Sequence, residues 1–87
     1  MYGFIVNRVS GKGNKVWRKV EELLKKEEKD YIVRFTNGPQ HATTVAQELV
    51  NDQMQAIVVI GGDGTINEVA NGLVDSDIPL GDSSWFW

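Results

Sequence analysis

A short apolar run in this chain is followed without a gap by glycines around a single carboxylate. Residues 56–60 read Ala-Ile-Val-Val-Ile, and residues 61–65 read Gly-Gly-Asp-Gly-Thr. Such an apolar run, rich in Val and Ile, is typical of a strand buried on both faces of a parallel sheet. Helical periodicity resumes from Thr65 to Val74. A strand, a tight glycine turn and a helix N-terminus together form nucleotide-phosphate sites, because free N–H groups and the helix dipole favour anions.

Composition narrows the class of protein. The 87 residues are 41% hydrophobic and 24% charged, which is typical of one small globular domain. There is no cysteine, which excludes disulfides and thiolate metal sites, and no apolar run approaches the roughly 18 residues of a spanning helix. We therefore expect a cytoplasmic protein. The net charge of −3 argues against nucleic-acid binding.

The charge is unevenly distributed, because the first twenty residues are basic and contain no acid. The basic residues are Arg8, Lys12, Lys15, Arg18 and Lys19. A basic start beside a glycine-rich loop suits a small anionic ligand better than a polymer. A solvated helix face is the alternative for Lys19.

Apolar periodicity predicts strands alternating with helices. The strands are predicted at residues 2–7, 31–35 and 56–60, and the helices begin near Lys15, Gln40 and Thr65. We expect Pro79-Leu80 to open a fourth strand. This alternation predicts parallel strands joined by right-handed crossovers, which is an α/β fold.

Ligands of such folds bind outside the carboxyl ends of the strands. Those ends are predicted at Asn7, Thr36 and Gly61, and each opens a polar or glycine-bearing loop. The three loops are therefore expected to converge on one crevice.

Three motifs together carry a family resemblance. Residues 7–13 read Asn-Arg-Val-Ser-Gly-Lys-Gly, Thr36 precedes His41-Ala42, and residues 61–69 read Gly-Gly-Asp-Gly-Thr-Ile-Asn-Glu-Val. In this combination the chain up to Gly81 resembles the catalytic domain of the diacylglycerol kinase and sphingosine kinase superfamily, in its bacterial lipid kinase branch. The glycine loop alone is less specific, because NAD kinases and phosphofructokinases have similar loops. The usual proline after the first asparagine is replaced by Arg8.

The resemblance implies the N-terminal part of a three-layer parallel-sheet nucleotide-binding domain of the phosphofructokinase and NAD kinase type. It implies ATP and Mg²⁺ as cofactors and transfer of the ATP γ-phosphate to a lipid hydroxyl, with diacylglycerol as the first candidate. Family chains continue past residues 79–81 into the rest of this domain and a β-rich lipid-binding domain. We therefore expect the lipid site, the general base and the metal ligands outside residues 1–81. The isolated chain is expected to be inactive, and the full-length protein to contact membranes peripherally.

The candidate site has two walls. Asp63 is the candidate catalytic residue, and the resemblance implies a role at the nucleotide phosphates, directly or through Mg²⁺ and water. A carboxylate beside phosphate needs a cation or a shared proton between them. The alternative is a turn and helix-cap residue. The other candidates are Gly61, Gly62, Gly64, Thr65, Asn67 and Glu68 on one wall, Asn7, Ser10, Gly11 and Gly13 on the second, with Lys12 or Arg8 adding charge, and Thr36 at the end of the second strand.

Simpler structural roles compete for several of these residues. The glycines of the central turn are expected to supply room and positive φ. Thr65 is an N-cap, a phosphate donor or both, and Glu68 contacts the ligand or complements the helix dipole. Thr36 contacts the nucleotide or simply ends its strand. His41 is interpreted as helix-start or loop packing rather than a metal ligand, and Trp17 as core-edge packing rather than a platform for a base.

The segment 82–87, Asp-Ser-Ser-Trp-Phe-Trp, is atypical of the family. Its aromatic residues would expose apolar surface, so we expect it to promote self-association. We hypothesise a frameshift, because one permitted codon set for residues 81–87, read after its first base is dropped, gives the expected continuation Gly-Ile-Pro-Pro-Gly-Ser. A gene sequence without that downstream reading frame would contradict the hypothesis.

Two alternatives to a lipid kinase stay open. An NAD kinase shares the central loop but would lack the Ser-Gly-Lys-Gly segment at residues 10–13. A non-catalytic remnant or interaction module would keep the fold without binding ATP.

Overall fold

The computed structural model describes residues 1–8, 11–38 and 40–82, in which strands alternate with helices. The elements are β1 (Tyr2–Asn7), α1 (Gly11–Lys26), β2 (Tyr31–Thr36), α2 (His41–Asn51), β3 (Ala56–Ile60), α3 (Asp63–Gly72) and β4 (Leu80–Asp82). All strand pairs are parallel, and the sheet order is β2-β1-β3-β4. The predicted α/β fold is confirmed, as is a fourth strand after Pro79.

The sheet is covered on both faces, so the chain forms three layers. On one face Phe4 of β1 packs with Trp17 of α1. On the other face Ile5 packs with Leu49 of α2 and Val69 of α3. Successive residues of β1 therefore serve opposite cores, which is the side-chain alternation of a strand. Every residue of β3 is buried, as its continuous apolar sequence predicted.

The first helix begins earlier than predicted. It starts at Gly11 rather than Lys15, so Gly11 and Gly13 lie in its first turn instead of in a loop. Glycine lowers helix propensity by only about 1 kcal/mol, and tertiary packing overrides so weak a preference. Gly13 is buried at this turn.

The third helix is also displaced from its predicted bounds. It spans Asp63–Gly72 rather than running from Thr65 to Val74. Its predicted apolar face is correct at Val69, which is fully buried, but Val74 lies beyond the helix and is 78% exposed. The carboxylate of the glycine turn therefore belongs to the helix itself.

Helices α2 and α3 approach closely where α3 ends. A Cβ added to Gly72 would stand 2.8 Å from the carbonyl oxygen of Thr43 and 2.9 Å from Cβ of Ala46. The absence of a side chain at Gly72 therefore permits this packing distance.

No helix in the described part of the chain is long and apolar enough to cross a lipid bilayer. The predicted self-association through the aromatic tail concerns residues 83–87, which lie outside the described residues, and it stays a prediction.

Candidate functional site

The strand order creates a crevice between the ends of β1 and β3. These strands are parallel neighbours. The helix that follows β1 packs on one face of the sheet, whereas the helix that follows β3 packs on the other. The two connections therefore diverge where the strands end, and this is the usual ligand position in open α/β sheets. The predicted convergence of loops at this edge is confirmed for the loops after β1 and β3.

The glycine turn lies on this edge, but not with the predicted backbone. No glycine in the described residues has a positive φ, so that expectation was wrong. Gly62 is the N-cap of α3, with φ −86° and ψ −178°, which is extended backbone open to any residue. The requirement for glycine is spatial at Gly61, where an added Cβ would stand 3.1 Å from Thr65 and 3.2 Å from Cβ of Asn7.

Space lies above the rest of the turn. A Cβ added at Gly62 or Gly64 would meet no atom within 4 Å. Gly62 occupies the N-cap position of α3, and because glycine has no side chain it makes no side-chain capping hydrogen bond. The first amides of a helix have no intrahelical acceptor, so they face this space without an N-cap side chain to satisfy them. The turn therefore presents N–H groups and the positive end of a helix dipole to an open volume.

Two hydrogen bonds join the loop after β1 to its neighbours. Asn7 Nδ2 donates to Thr65 Oγ1 at 3.0 Å, which links the end of β1 to the first turn of α3. The Arg8 amide donates to the Thr36 carbonyl oxygen at 2.9 Å, which links it to the end of β2. Thr65 is buried inside α3, so its predicted N-cap role was wrong. Asn7, Thr36 and Thr65, each predicted for the site, are thus brought to one edge of the sheet.

The Glu68 carboxylate has a protein partner. Its Oε1 accepts a hydrogen bond from the backbone N–H of Gln40, the N-cap residue of α2. The Glu68 carbonyl oxygen also accepts a hydrogen bond from Thr43 Oγ1 at 2.8 Å. Direct contact of Glu68 with a nucleotide stays a prediction. The structure gives this carboxylate a capping position on α2.

Exposed polar side chains flank the open space. Asp63 is the first residue of α3, and its carboxylate is exposed. Asn67 lies one turn further along the same helix and is also exposed. Among the residues that the structure describes, no group of three or more His, Cys, Asp or Glu side chains could hold a metal ion. His41 is exposed as the first residue of α2, which agrees with a helix-start position.

The second predicted wall is described in part. Gly11 and Gly13 lie in the first turn of α1, which begins beyond the end of β1. The predicted contact of Ser10 with phosphate or ribose falls on a residue outside the described ones. The N-termini of α1 and α3 therefore both reach the edge at which β1 and β3 end.

A separate basic cleft lies beside α1. Its volume is about 390 Å³, and its lining residues are Arg8, Asn14, Trp17, Arg18 and Phe35. The Arg8 guanidinium stands 4.2 Å from the centroid of the Phe35 ring, a cation–π distance. Trp17 is 6% exposed and its ring contacts those of Phe4, Tyr31 and Phe35, so its predicted packing role is confirmed.

Comparison with known proteins gives the family. The family model described as "Diacylglycerol kinase catalytic domain" matches residues 1–82. The chain belongs to this family. The match to the diacylglycerol kinase catalytic domain family thus includes every residue that the structure describes, and both glycine-containing motifs. The family match also decides between the two enzyme resemblances, because it supports the lipid kinase branch rather than an NAD kinase.

Individual relatives are lipid kinases by name. The chain is 37% identical over 79 residues to "Putative lipid kinase YtlR" of Bacillus subtilis, covering 85% of this chain and 26% of that protein. It is 38% identical over 76 residues to "Putative lipid kinase" of Streptococcus pneumoniae, covering 84% and 26%. It is 34% identical over 80 residues to "Ceramide kinase" of Arabidopsis thaliana, covering 86% and 13%. The chain therefore spans about a quarter of the two bacterial relatives.

The amino-acid sequence of this diacylglycerol kinase family chain did not predict the contacts between its loops and helices. The bonds of Gln40 and Thr43 with Glu68 join residues 28 and 25 positions apart. One partner in each bond is a backbone group. Because nearly every residue has the same backbone groups, the sequence does not indicate which of them forms the bond. The stacking of Arg8 on Phe35 likewise depends on the parallel pairing of β1 with β2.

Proposed function

We propose that this chain is the N-terminal nucleotide-binding part of an ATP-dependent lipid kinase. The observation that carries the proposal is the uncapped glycine turn of a diacylglycerol kinase family chain, at the point where the connections that follow β1 and β3 diverge. Phosphoryl transfer requires mainly positioning and neutralisation of charge, and a helix N-terminus with open backbone amides supports both.

The phosphates of ATP are proposed to lie over the turn formed by Gly61, Gly62 and Gly64. The amides at the start of α3 are proposed to donate to phosphate oxygens, which is supported by the open surroundings of Gly62 and Gly64, where an added Cβ would meet no atom within 4 Å. The proposed second wall of the same crevice comprises Asn7, Gly11 and Gly13, with Thr36 and Asn67 at its margins; the contact predicted for Ser10 falls outside the described residues. Thr65 supports this wall through its hydrogen bond with Asn7.

The turn offers Mg²⁺ one protein donor, and its other protein ligands are proposed to lie outside the 87 residues. Asp63 provides one exposed carboxylate beside the proposed phosphates, and Mg²⁺ is commonly held by one or two carboxylates together with substrate phosphates and water. When bound, Mg²⁺ neutralises phosphate charge during transfer. Asp63 is the proposed catalytic residue because it is the charged residue of the open turn, between Gly62 and Gly64. Cofactor identity as ATP with Mg²⁺ is part of the proposal.

The proposed reaction transfers the γ-phosphoryl group to a lipid hydroxyl. The bond from the bridging β,γ-oxygen to the γ-phosphorus breaks, a bond from the lipid oxygen to that phosphorus forms, and the hydroxyl proton passes to a base. We propose that this base and the lipid site lie outside the 87 residues, whose length is about a quarter of the bacterial relatives. Diacylglycerol is the first lipid to test, and ceramide is the second because one relative is named for it.

Contact with an anionic lipid surface is proposed for the start of α1. Arg8, Lys15, Arg18 and Lys19 are exposed, and no acidic residue precedes Glu21 in the chain. A cluster of basic side chains attracts anionic phospholipids by roughly 1 kcal/mol per residue near the surface. The variant Arg8→Ala/Arg18→Ala tests this contact. The double variant Lys25→Ala/Lys26→Ala at the other end of α1 removes equal charge and serves as its matched control.

An ATP titration tests the nucleotide site. The ¹⁵N-labelled chain is titrated with Mg²⁺ and ATP, and backbone amide shifts are followed with adenosine as a control that lacks phosphates. We expect ATP, but not adenosine, to shift the amides of residues 61–65 and the first turn of α1. Unchanged shifts at millimolar ATP in a well-dispersed spectrum would contradict the proposal and favour the non-catalytic remnant.

A second assay tests turnover. The 87 residues alone are expected to give no phosphorylated diacylglycerol or ceramide in a radiolabelled ATP assay, because the proposed base and lipid site lie outside them. The same chain joined to the remaining length of the Bacillus subtilis relative is expected to phosphorylate a lipid. Lipid phosphorylation by the purified chain alone would refute the proposal that the base and the lipid site lie outside it. Phosphorylation of NAD by the joined chain would refute the assignment as a lipid kinase.

A further inference from the structure

We propose that Glu68 is a positioning residue for the nucleotide site, which fixes the loop after β2 and does not itself contact the nucleotide. The proposal rests on the proposed function, because it concerns how the same site is held. It reassigns a residue whose sequence context suggested ligand contact. The argument follows from the partners of its carboxylate and carbonyl groups.

The Glu68 carboxylate performs the capping task that α2 lacks locally. Gln40, the N-cap of α2, makes no side-chain capping bond and has a left-handed backbone with φ 64°. Its N–H donates instead to Glu68 Oε1 on the neighbouring helix. A carboxylate at this point also opposes the positive end of the α2 dipole. Helix α3 therefore supplies an acceptor at the start of α2.

A second bond fixes the same pair of helices. Thr43 Oγ1, in the first turn of α2, donates to the Glu68 carbonyl oxygen at 2.8 Å. At the other end of α3, Gly72 permits close approach to Thr43 and Ala46. The two helices are thus held at separate points along α3. Rotation of the start of α2 away from Glu68 would break both hydrogen bonds at once.

Three hydrogen bonds link the end of β1, the end of β2, the start of α2 and helix α3, and we call this set the loop ring. It consists of Asn7 to Thr65, Arg8 to Thr36, and Gln40 to Glu68. The first joins the loop after β1 to α3, the second joins it to the end of β2, and the third joins the loop after β2 back to α3. Without the Glu68 side chain the ring is open, and the Gln40 amide loses its bond to the helix that carries the glycine turn.

The charge of Glu68 also limits where phosphate can bind. The N-terminus of α2 has a carboxylate against it, which repels a phosphate group. The N-terminus of α3 has the uncapped Gly62 and open space above it. Phosphate is therefore directed to the crevice between β1 and β3, where Glu68 makes no contact with it in this proposal.

The experiment compares Glu68→Ala with Glu68→Gln, because glutamine retains an Oε1 acceptor but removes the charge. Hydrogen exchange of the Gln40 amide is measured without nucleotide, and affinity for Mg²⁺-ATP is measured by amide shifts at residues 61–65. We expect Glu68→Ala to speed Gln40 exchange and to weaken ATP binding about two- to tenfold, the range given by one lost hydrogen bond of ordinary net strength. We expect the ATP affinity of Glu68→Gln to stay within about twofold of that of the unmodified chain.

A second pair keeps the test decisive if Glu68→Ala does not fold. Thr43→Val removes the hydroxyl that donates to the Glu68 carbonyl oxygen, and Thr43→Ser retains it. Weaker ATP binding in the valine variant, with normal binding in the serine variant, is expected. Equal binding in both would overturn the proposal.

The remaining outcomes separate this inference from the proposed function. If Glu68→Gln bound ATP as weakly as Glu68→Ala, the charge would contact the ligand or its metal. That result would overturn the positioning role. Normal ATP binding by Glu68→Ala would overturn it as well, while leaving the proposed function intact. An unmodified chain that binds no ATP would overturn the proposed function and the positioning role together.

Discussion

Replacing Gly64 by alanine is predicted to stabilise the fold and at the same time to weaken ATP binding. Gly64 lies in the first turn of α3 without a positive φ, and an added Cβ would meet no atom within 4 Å. Alanine is favoured over glycine in a helix by about 0.5–1 kcal/mol. We therefore expect the free energy of unfolding to rise by about 0.5 kcal/mol, since the residue is near the helix end.

The effect on ATP has the opposite sign because the methyl group enters the proposed phosphate position. Overfilling a close contact typically costs about 1–3 kcal/mol, and each 1.4 kcal/mol is a factor of ten in affinity. We expect the dissociation constant for Mg²⁺-ATP to rise about tenfold or more. Unfolding in urea followed by circular dichroism gives the stability, and the amide titration gives the affinity.

Gly72→Ala is the matched control, since it makes the same substitution in the same helix. Its Cβ would stand 2.8 Å from the Thr43 carbonyl oxygen, so the two helices must separate. Overpacking of about 1–3 kcal/mol exceeds the propensity gain of up to about 1 kcal/mol, which predicts net destabilisation of about 1–2 kcal/mol. The folded variant is expected to lose less ATP affinity than Gly64→Ala, because Gly72 is at the far end of α3 from the turn.

The pair of variants can refute the reasoning at two points. Undiminished ATP affinity in Gly64→Ala would mean that phosphate does not lie over the turn. Lower stability in Gly64→Ala would mean that the space above Gly64 is not open in solution. Only opposite changes in stability between the two variants agree with the structure.

Three further predictions concern the charge at the turn, the aromatic core and the basic surface. Asp63→Asn is expected to make ATP affinity nearly independent of Mg²⁺, and a preserved Mg²⁺ dependence in the amide titration would contradict the role of the carboxylate. Trp17→Ala removes a 6% exposed ring and should lower the free energy of unfolding in urea by about 3–5 kcal/mol; a loss below about 1 kcal/mol would refute its core position. Arg8→Ala/Arg18→Ala should reduce sedimentation with phosphatidylserine vesicles, while the control pair at the other end of α1 should not; equal losses would indicate non-specific charge attraction.

Local patterns predicted the parts of the fold that depend on a single element. The five buried residues of β3 were readable from their continuous apolar sequence, and the alternation of strands and helices was readable from periodicity. The parallel sheet then followed from short connections. The carboxyl ends at Asn7 and Thr36 were placed correctly because polar residues follow each apolar run.

The predictions failed where packing overrides local preference. Glycines suggested a loop up to Asn14 and a left-handed turn after Ile60, but α1 begins at Gly11 and the central glycines have ordinary φ values. At Gly61 the reason for glycine is the closeness of Asn7 and Thr65, which only the assembled structure reveals. The prediction that glycine provides room at the turn was correct at Gly61, whereas the prediction of a positive φ was wrong.

The relation between the two glycine loops depends on strand order rather than on the motifs themselves. Asn7 and Thr65 are 58 residues apart and form a 3.0 Å hydrogen bond because β1 lies next to β3. Neighbouring strands are separated by about 4.8 Å, so placing β2 between them would separate the loops by about 9.6 Å, beyond the reach of a direct bond between these side chains. The sequential order β1-β2-β3 is equally compatible with the periodicity. The crevice therefore arises because the chain returns past β1 after β2, and the same return brings the start of α2 against Glu68.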